Sequence, residues 1–186
     1  GQAGNDVFLV MDYLPGETAA TLMRQLHSRG ETLDYKLAAH IIAEAAGGLE
    51  AAHAAGILHE QLTPHDLFVG YDGSVHVLDI GIAAARSWLA GESGDVGLGV
   101  EYSSPERCKK EPLDRRTDVF SLGAVLFELL TGRRLREITD EIAAWNQVAS
   151  GEIPTVRAVR PDLPEAFERL IQRALAREPE DRFPRS

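Results

Sequence analysis

The sequence predicts an α+β fold that is mainly helical and carries one small β-hairpin. Three stretches predict it. After Asp34, residues Leu37, Ile41, Ala45, Leu49 and Ala52 recur at helical spacing, so one long helix turns an apolar stripe toward a core. Residues Asp118–Thr131 are apolar on nearly every side of a helix, which predicts a second helix buried all round. Between them, Asp72-Gly73 separates the short runs Leu67–Tyr71 and Ser74–Leu78, a strong hairpin signal.

The remaining elements follow in chain order. Val7–Met11 is a short apolar run that reads as a strand, and Pro15-Gly16 reads as a turn. Thr18–Arg29 places Leu22 and Leu26 at helical spacing before the stop at Gly30. Asp34 is the N-cap of the long helix and Gly56 its left-handed end. Ala83–Val100 is rich in glycine and small residues without a period, and reads as a mobile loop. Asp118 is the expected cap of the buried helix and Gly132 its stop. A further helix is expected around Asp140–Ser150. Another, amphipathic, is expected over Leu163–Arg177 with Leu163, Phe167, Leu170, Ile171, Ala174 and Leu175 on its apolar face.

Composition narrows the function classes. A chain of 186 residues with 44% hydrophobic and 26% charged residues has the makeup of a globular domain with its own core. Its net charge of −10 argues against nucleic acid or an anionic membrane as partner. The lone Cys108 rules out an intrachain disulfide, which points to a reducing compartment, and it reads as an inert thiol. Gly1–Asp6 has no basic signal-peptide region. Val119–Leu130, interrupted by Ser121 and Glu128, is too short to cross a bilayer. The expectation is a cytoplasmic domain, or the cytosolic part of a tethered protein, with no membrane insertion of its own. His27, His40, His53, His65 and His76 show no ligand spacing with cysteine, so no zinc site is expected.

Residues 59–66 read His-Glu-Gln-Leu-Thr-Pro-His-Asp, and Asp79-Ile80-Gly81 follows. Ser104-Pro105-Glu106, Asp118-Val119-Phe120-Ser121-Leu122-Gly123 and Arg182 come later in the chain. In this order the motifs resemble those of a protein kinase. They are similar to its His-Arg-Asp-Leu-Lys-Pro-x-Asn catalytic loop, its Asp-Phe-Gly triplet, its Ala-Pro-Glu motif, the opening of its central helix, and the Arg that pairs with the Ala-Pro-Glu glutamate. Phe8–Gly16 resembles the last N-lobe strand and the hinge, with Met11 as gatekeeper and Asp12-Tyr13-Leu14 as hinge. The alanine-rich style resembles bacterial serine/threonine kinases. The resemblance implies a kinase C-lobe with the hairpin at the nucleotide site. It makes residues 1–16 the end of the N-lobe and hinge, and residues 17–186 a C-lobe that stops before its last helix. It also implies that the Gly-rich phosphate loop and the N-lobe lysine are missing.

The same resemblance assigns roles, and the working positions have changed while the framework stays. Gln61 stands at the catalytic base and lacks a basic site; loss of a general base typically costs about 10²- to 10⁴-fold. Thr63 stands where the family has a lysine and offers the phosphate no charge. Gly99 stands at the threonine that would touch both. Asp66 replaces an asparagine; with Asp79 it is a candidate Mg²⁺ ligand, or else a solvated loop residue or an N–H cap. Met11, Asp12, Leu14 and Phe68 offer one wall of an adenine pocket. Glu60 replaces an arginine and would repel a phosphate, so Ser87 and Ser93 are read as ordinary loop serines. Gly91–Gly99 lacks phosphate-loop spacing and carries Glu92 and Asp95, so it is not read as a phosphate cradle. Asp118 is implied to accept N–H bonds from the His59 loop, His59 and Ile80 to pack in an apolar column, and Glu106 and Arg182 to form a buried bidentate pair.

The reading is a catalytically impaired serine/threonine kinase-like domain, a pseudokinase acting as a binding or allosteric module. The alternative is a weak ATP-dependent serine/threonine kinase, and a third reading is a structural domain without nucleotide. ATP and Mg²⁺ are expected only in a full-length protein, not in this fragment. An apolar face at Phe8, Val10, Met11, Leu67 and Phe68 is expected to receive another protein or a second copy.

Overall fold

The computed structural model describes residues 1–4, 6–8, 10–83, 99–136 and 153–186, with Asp6 and Val7 described by backbone alone. The helix expected near Asp140–Ser150 and most of the loop expected over Ala83–Val100 lie outside these residues. At the N-terminus, β1 (Gln2–Ala3) pairs antiparallel with β2 (Asp6–Val7). Of the strand expected over Val7–Met11, Val7 lies in β2, whereas Phe8, Val10 and Met11 lie outside any strand.

Gly16 does not form the expected turn. It opens β3 (Gly16–Thr18), which pairs antiparallel with β4 (Leu67–Gly70), and β4 pairs in turn with β5 (Val75–Val77). The backbones close so tightly that a Cβ on Gly16 would sit 2.3 Å from the Val69 carbonyl oxygen. Only glycine fits there, and that requirement, rather than a turn, explains the residue. The β4–β5 hairpin forms as expected. Gly73 takes φ +88 and its N–H donates to the Gly70 carbonyl at 2.9 Å, so the loop is Tyr71-Asp72-Gly73.

Thr18 caps α1 (Ala19–Ser28), its hydroxyl accepting the Thr21 N–H at 3.2 Å. Asp34 caps α2 (Tyr35–Ala54) as expected, accepting from Lys36 N–H at 2.8 Å and Leu37 N–H at 3.4 Å. Gly56, with φ +74, ends it. The buried stripe is Ala38, Ile41, Ala45, Leu49 and Ala52; Leu37 is one position off it and exposed. A short helix, α3 (Pro105–Cys108), follows the 3₁₀ turn Val100–Tyr102.

The central helix, α4 (Arg116–Thr131), is buried at every residue from Thr117 to Phe127. Its N-cap is Arg115, not Asp118, and the Asp114 carboxylate accepts the Arg116 N–H at 2.8 Å. Asp118 lies inside the first turn and reaches elsewhere. Gly132, φ +67, stops the helix as expected. The short α5 (Val156–Val159) leads to α6 (Glu165–Ala174), shorter than the span Leu163–Arg177. Leu163, Ile171, Ala174 and Leu175 are buried as expected, whereas Leu170 is exposed. Tyr35 of α2 meets Phe167 of α6 edge-on, ring centres 5.7 Å apart. Helices α2, α4 and α6 thus enclose one core with the three-stranded sheet beside α2. Among the described residues, no helix is long and apolar enough to cross a membrane.

Candidate functional site

The loop from His59 to Asp66 is held from beneath by α4. The Asp118 carboxylate, fully buried, accepts the His59 N–H at 2.9 Å and the Glu60 N–H at 2.8 Å. The third bond comes from α2, where His53 Nε2 donates to Asp118 Oδ2 at 2.7 Å. Sequence reasoning gave Asp118 its two loop bonds and missed His53, because the two residues are far apart in sequence and no spacing rule links them. These bonds hold Glu60 at φ +68, a left-handed conformation that a non-glycine residue enters only under constraint. His59 is buried, as expected of a core histidine. Its Nε2 donates to the Leu78 carbonyl at 2.9 Å, and its buried Nδ1 has no hydrogen-bond partner among the described residues.

Thr63 and Asp66 close on each other. Asp66 Oδ2 accepts both the Thr63 N–H at 2.7 Å and the Thr63 hydroxyl at 2.9 Å, and the Asp66 N–H returns to the Thr63 carbonyl at 3.0 Å. The carboxylate therefore caps the loop N–H of Thr63, one of the roles its residue type allowed. Burial pushes the Asp66 carboxyl above its usual range; the Thr63 bonds oppose this and the nearby Asp79 adds to it. Asp79 itself is exposed, with φ +57. Gly99 has φ +75, and a Cβ there would meet the Thr63 methyl at 2.8 Å. Thr63 thus fills the space that a larger residue at 99 would need.

Gln61, Thr63, Asp66 and Asp79 come together on the wall of one cavity of about 920 Å³. It is also lined by His27 of α1 and by Tyr102, Glu128 and Arg133. Met11, Asp12, Leu14 and Phe68 do not line it. Met11 and Asp12 are exposed, and Leu14 and Phe68 half-buried, with Phe68 opposite Thr18 in the sheet. The cavity holds a pair that sequence reasoning missed: the Tyr102 hydroxyl donates to Glu128 Oε2. Burial raises the pKa of both groups, and their contact raises Tyr102 further. The signal for Glu128 was its place as the acid interrupting an apolar helix. Among the described residues no cluster of three or more metal-ligating side chains occurs.

The expected inert character of Cys108 has a structural cause. The thiol is buried, and burial raises its pKa while Arg136 and Arg107 oppose the shift only in part. Alkylation by iodoacetamide at neutral pH is expected to leave the native protein unmodified and to reach Cys108 only on unfolding in urea. Stoichiometric labelling of the native protein within minutes would contradict this burial.

The Glu106–Arg182 pair forms as the motifs implied. It is bidentate, at 2.6 and 2.8 Å, and Arg182 also donates to the carbonyls of Ala176, Arg116 and Arg177.

Comparison with known proteins agrees with this geometry. A family profile described as protein kinase domain matches residues 2–185. The chain is 35% identical over 193 residues to Tyrosine-protein kinase MasK of Myxococcus xanthus, covering 99% of this chain and 30% of that protein. It is 33% identical over 184 residues to Serine/threonine-protein kinase PknL of Mycobacterium tuberculosis, covering 98% of this chain and 45% of that protein. It is 29% identical to the probable serine/threonine-protein kinase PknB of Lactococcus lactis, covering 98% and 29% respectively. The chain therefore spans less than half the length of each of these relatives. With the catalytic-loop frame, the Glu106–Arg182 pair and the buried α4 in place, the chain belongs to the protein kinase domain family.

Proposed function

We propose that this domain is a catalytically impaired member of its family, a pseudokinase whose loop is kept for binding or allosteric signalling. One observation carries the reading: the Thr63–Asp66 clasp, closed by the Thr63 N–H and hydroxyl on one carboxylate oxygen. Phosphoryl transfer depends on positioning and on charge aimed at the transferred group. Here the lysine position is a threonine whose hydroxyl is turned onto Asp66, and the base position is Gln61.

Members of this family use ATP with Mg²⁺. Two carboxylates, Asp66 and Asp79, are the donor type that Mg²⁺ takes alongside nucleotide phosphates. Asp79 is exposed and open to this role, whereas Asp66 has one oxygen committed to Thr63. A bound Mg²⁺-nucleotide would supply the phosphoryl group; Gln61 would orient a hydroxyl without taking its proton. The retained Asp79 favours the second reading, a weak ATP-dependent serine/threonine kinase.

Thermal melting of the full-length protein with ATP, with and without Mg²⁺, separates the two. The pseudokinase reading expects Mg²⁺ to add about 1 °C or less to any shift by ATP alone. A Mg²⁺-dependent rise of several degrees, abolished by Asp79→Ala, would favour the weak kinase; ligand at about 100 times its Kd stabilises by about 2.7 kcal/mol.

A partner surface belongs to the same proposal. Of the apolar face read from the sequence, Phe8, Val10 and Met11 are exposed, at 47%, 79% and 59%. Leu67 is fully buried in the core and Phe68 half-buried in the sheet, so those two leave that face. The three exposed side chains are where another protein or a second copy would seat.

A further inference from the structure

The side chain of Glu60 reaches across to α3 and meets Arg107, Nη1 to Oε2 at 3.2 Å. Both side chains are largely buried, 16% exposed for Arg107 and 23% for Glu60. Each partner sits on a rigid mount. Glu60 is fixed by its N–H bond to buried Asp118 and is held at φ +68. Arg107 lies on a helix anchored on two other sides. Ser104, its N-cap, meets the Thr117 hydroxyl of α4, and Glu106 holds Arg182. An ion pair between two pre-positioned, half-desolvated groups loses little side-chain entropy on forming, unlike a pair of free surface chains.

We propose that Glu60–Arg107 is a conformational latch that couples the catalytic loop to α3 and to the backbone leading into it from Gly99. The anion that completes the latch is part of the chain. The loop therefore keeps its docked position without an added phosphate, and a force that displaces α3 is passed to the backbone at Gln61. Glu60 and Arg107 are positioning residues in this account. The latch does not depend on whether phosphate is transferred at Gln61, so it stands apart from the function proposed above.

A double-mutant cycle read by amide hydrogen exchange on the full-length protein tests it, with Glu60→Gln, Arg107→Gln and the pair. The amides to follow are those of His59–Gln61 and Tyr102–Cys108, with α6 as internal control. Each single variant is expected to speed exchange in both segments about fivefold, the equivalent of about 1 kcal/mol. The double variant is expected to be no faster than either single one, and α6 to be unchanged. Additive effects, effects confined to the mutated segment, or an equal rise in α6 would each overturn the latch. Should Glu60→Gln fold poorly, Arg107→Lys supplies the second measurement: it keeps the charge and is expected to retain most of the protection, and full loss of protection would count against the proposal.

Discussion

Arg182→Ala is expected to destabilise the domain by about 3–5 kcal/mol, because it leaves the Glu106 carboxylate buried without its partner. The Arg182 side chain is fully buried and that of Glu106 is 7% exposed, so water reaches neither well. The same change strips the carbonyls of Ala176, Arg116 and Arg177 of a donor. At about 2–4 °C per kcal/mol for a domain of this size, the melting midpoint should fall by roughly 10 °C. Glu106→Leu with Arg182→Met should recover part of the loss, since a buried pair replaced by apolar groups is often tolerated. The loss of the Arg182 bonds to these carbonyls keeps the recovery incomplete. A fall under 1 °C for Arg182→Ala would show that the pair is not a structural anchor.

The pair also sets an acid limit. Burial works against ionising Glu106, but the hydrogen bonds and charge of Arg182, together with a backbone N–H bond and Ser104, outweigh it and hold the carboxyl below its ordinary value of 4.5. A carboxyl with a lowered folded pKa contributes stability that is present in full above its unfolded pKa. That contribution is lost as pH falls from about 4.5 through the folded value. In Arg182→Ala this source of lowering is gone. The stability gap between wild type and variant should therefore narrow below that pH.

Gln61→Asp alone is expected not to restore full phosphoryl transfer. It returns the base, a group typically worth about 10²- to 10⁴-fold, but Thr63 still offers no positive charge and still clasps Asp66. The order of reversal matters. Gly99→Thr, made while Thr63 is present, sets a branched side chain at φ +75 and drives its Cβ to 2.8 Å from the Thr63 methyl. The left-handed backbone alone costs about 1–2 kcal/mol for a non-glycine residue. Gly99→Thr should therefore destabilise by at least that amount, and Thr63→Lys should relieve the contact but not the backbone cost. Equal stability of Gly99→Thr and wild type would show that Thr63 and Gly99 are not fitted to each other.

The parts of the fold legible in the sequence are those fixed within a few residues. Asp34 caps the helix it begins, Gly56 and Gly132 end theirs, and Gly73 turns the hairpin. Much that depended on a distant neighbour was misread, the motif-implied Glu106–Arg182 pair excepted. Gly16 looked like a turn because the strand pressing on it, β4, lies far along the chain. Leu37 and Leu170 have the right residue type and roughly the right spacing, but packing partners decide which side of a helix is covered. Asp118 looked like a cap by its position; its bonds to the His59 loop were implied by the motifs, and its bond to His53 was the one missed. The site divides in the same way. Gln61, Thr63 and Asp66 share one loop, and Asp79 follows the hairpin, so their meeting could be read from the motifs. Tyr102 and Glu128 meet only through the packing of α4 against the Val100–Tyr102 turn. Glu60–Arg107 also joins segments that no motif links.

The central claim is that the loop keeps its frame while lacking the groups that drive transfer. Single-turnover transfer from γ-labelled ATP tests it most directly, using the full-length protein, its Gln61→Asp variant and an active relative under the same conditions. The account predicts a wild-type rate at least about 10²-fold below that relative, with only partial gain from Gln61→Asp. Wild-type turnover in the usual kinase range of about 1–100 s⁻¹, abolished by Asp79→Ala, would contradict it.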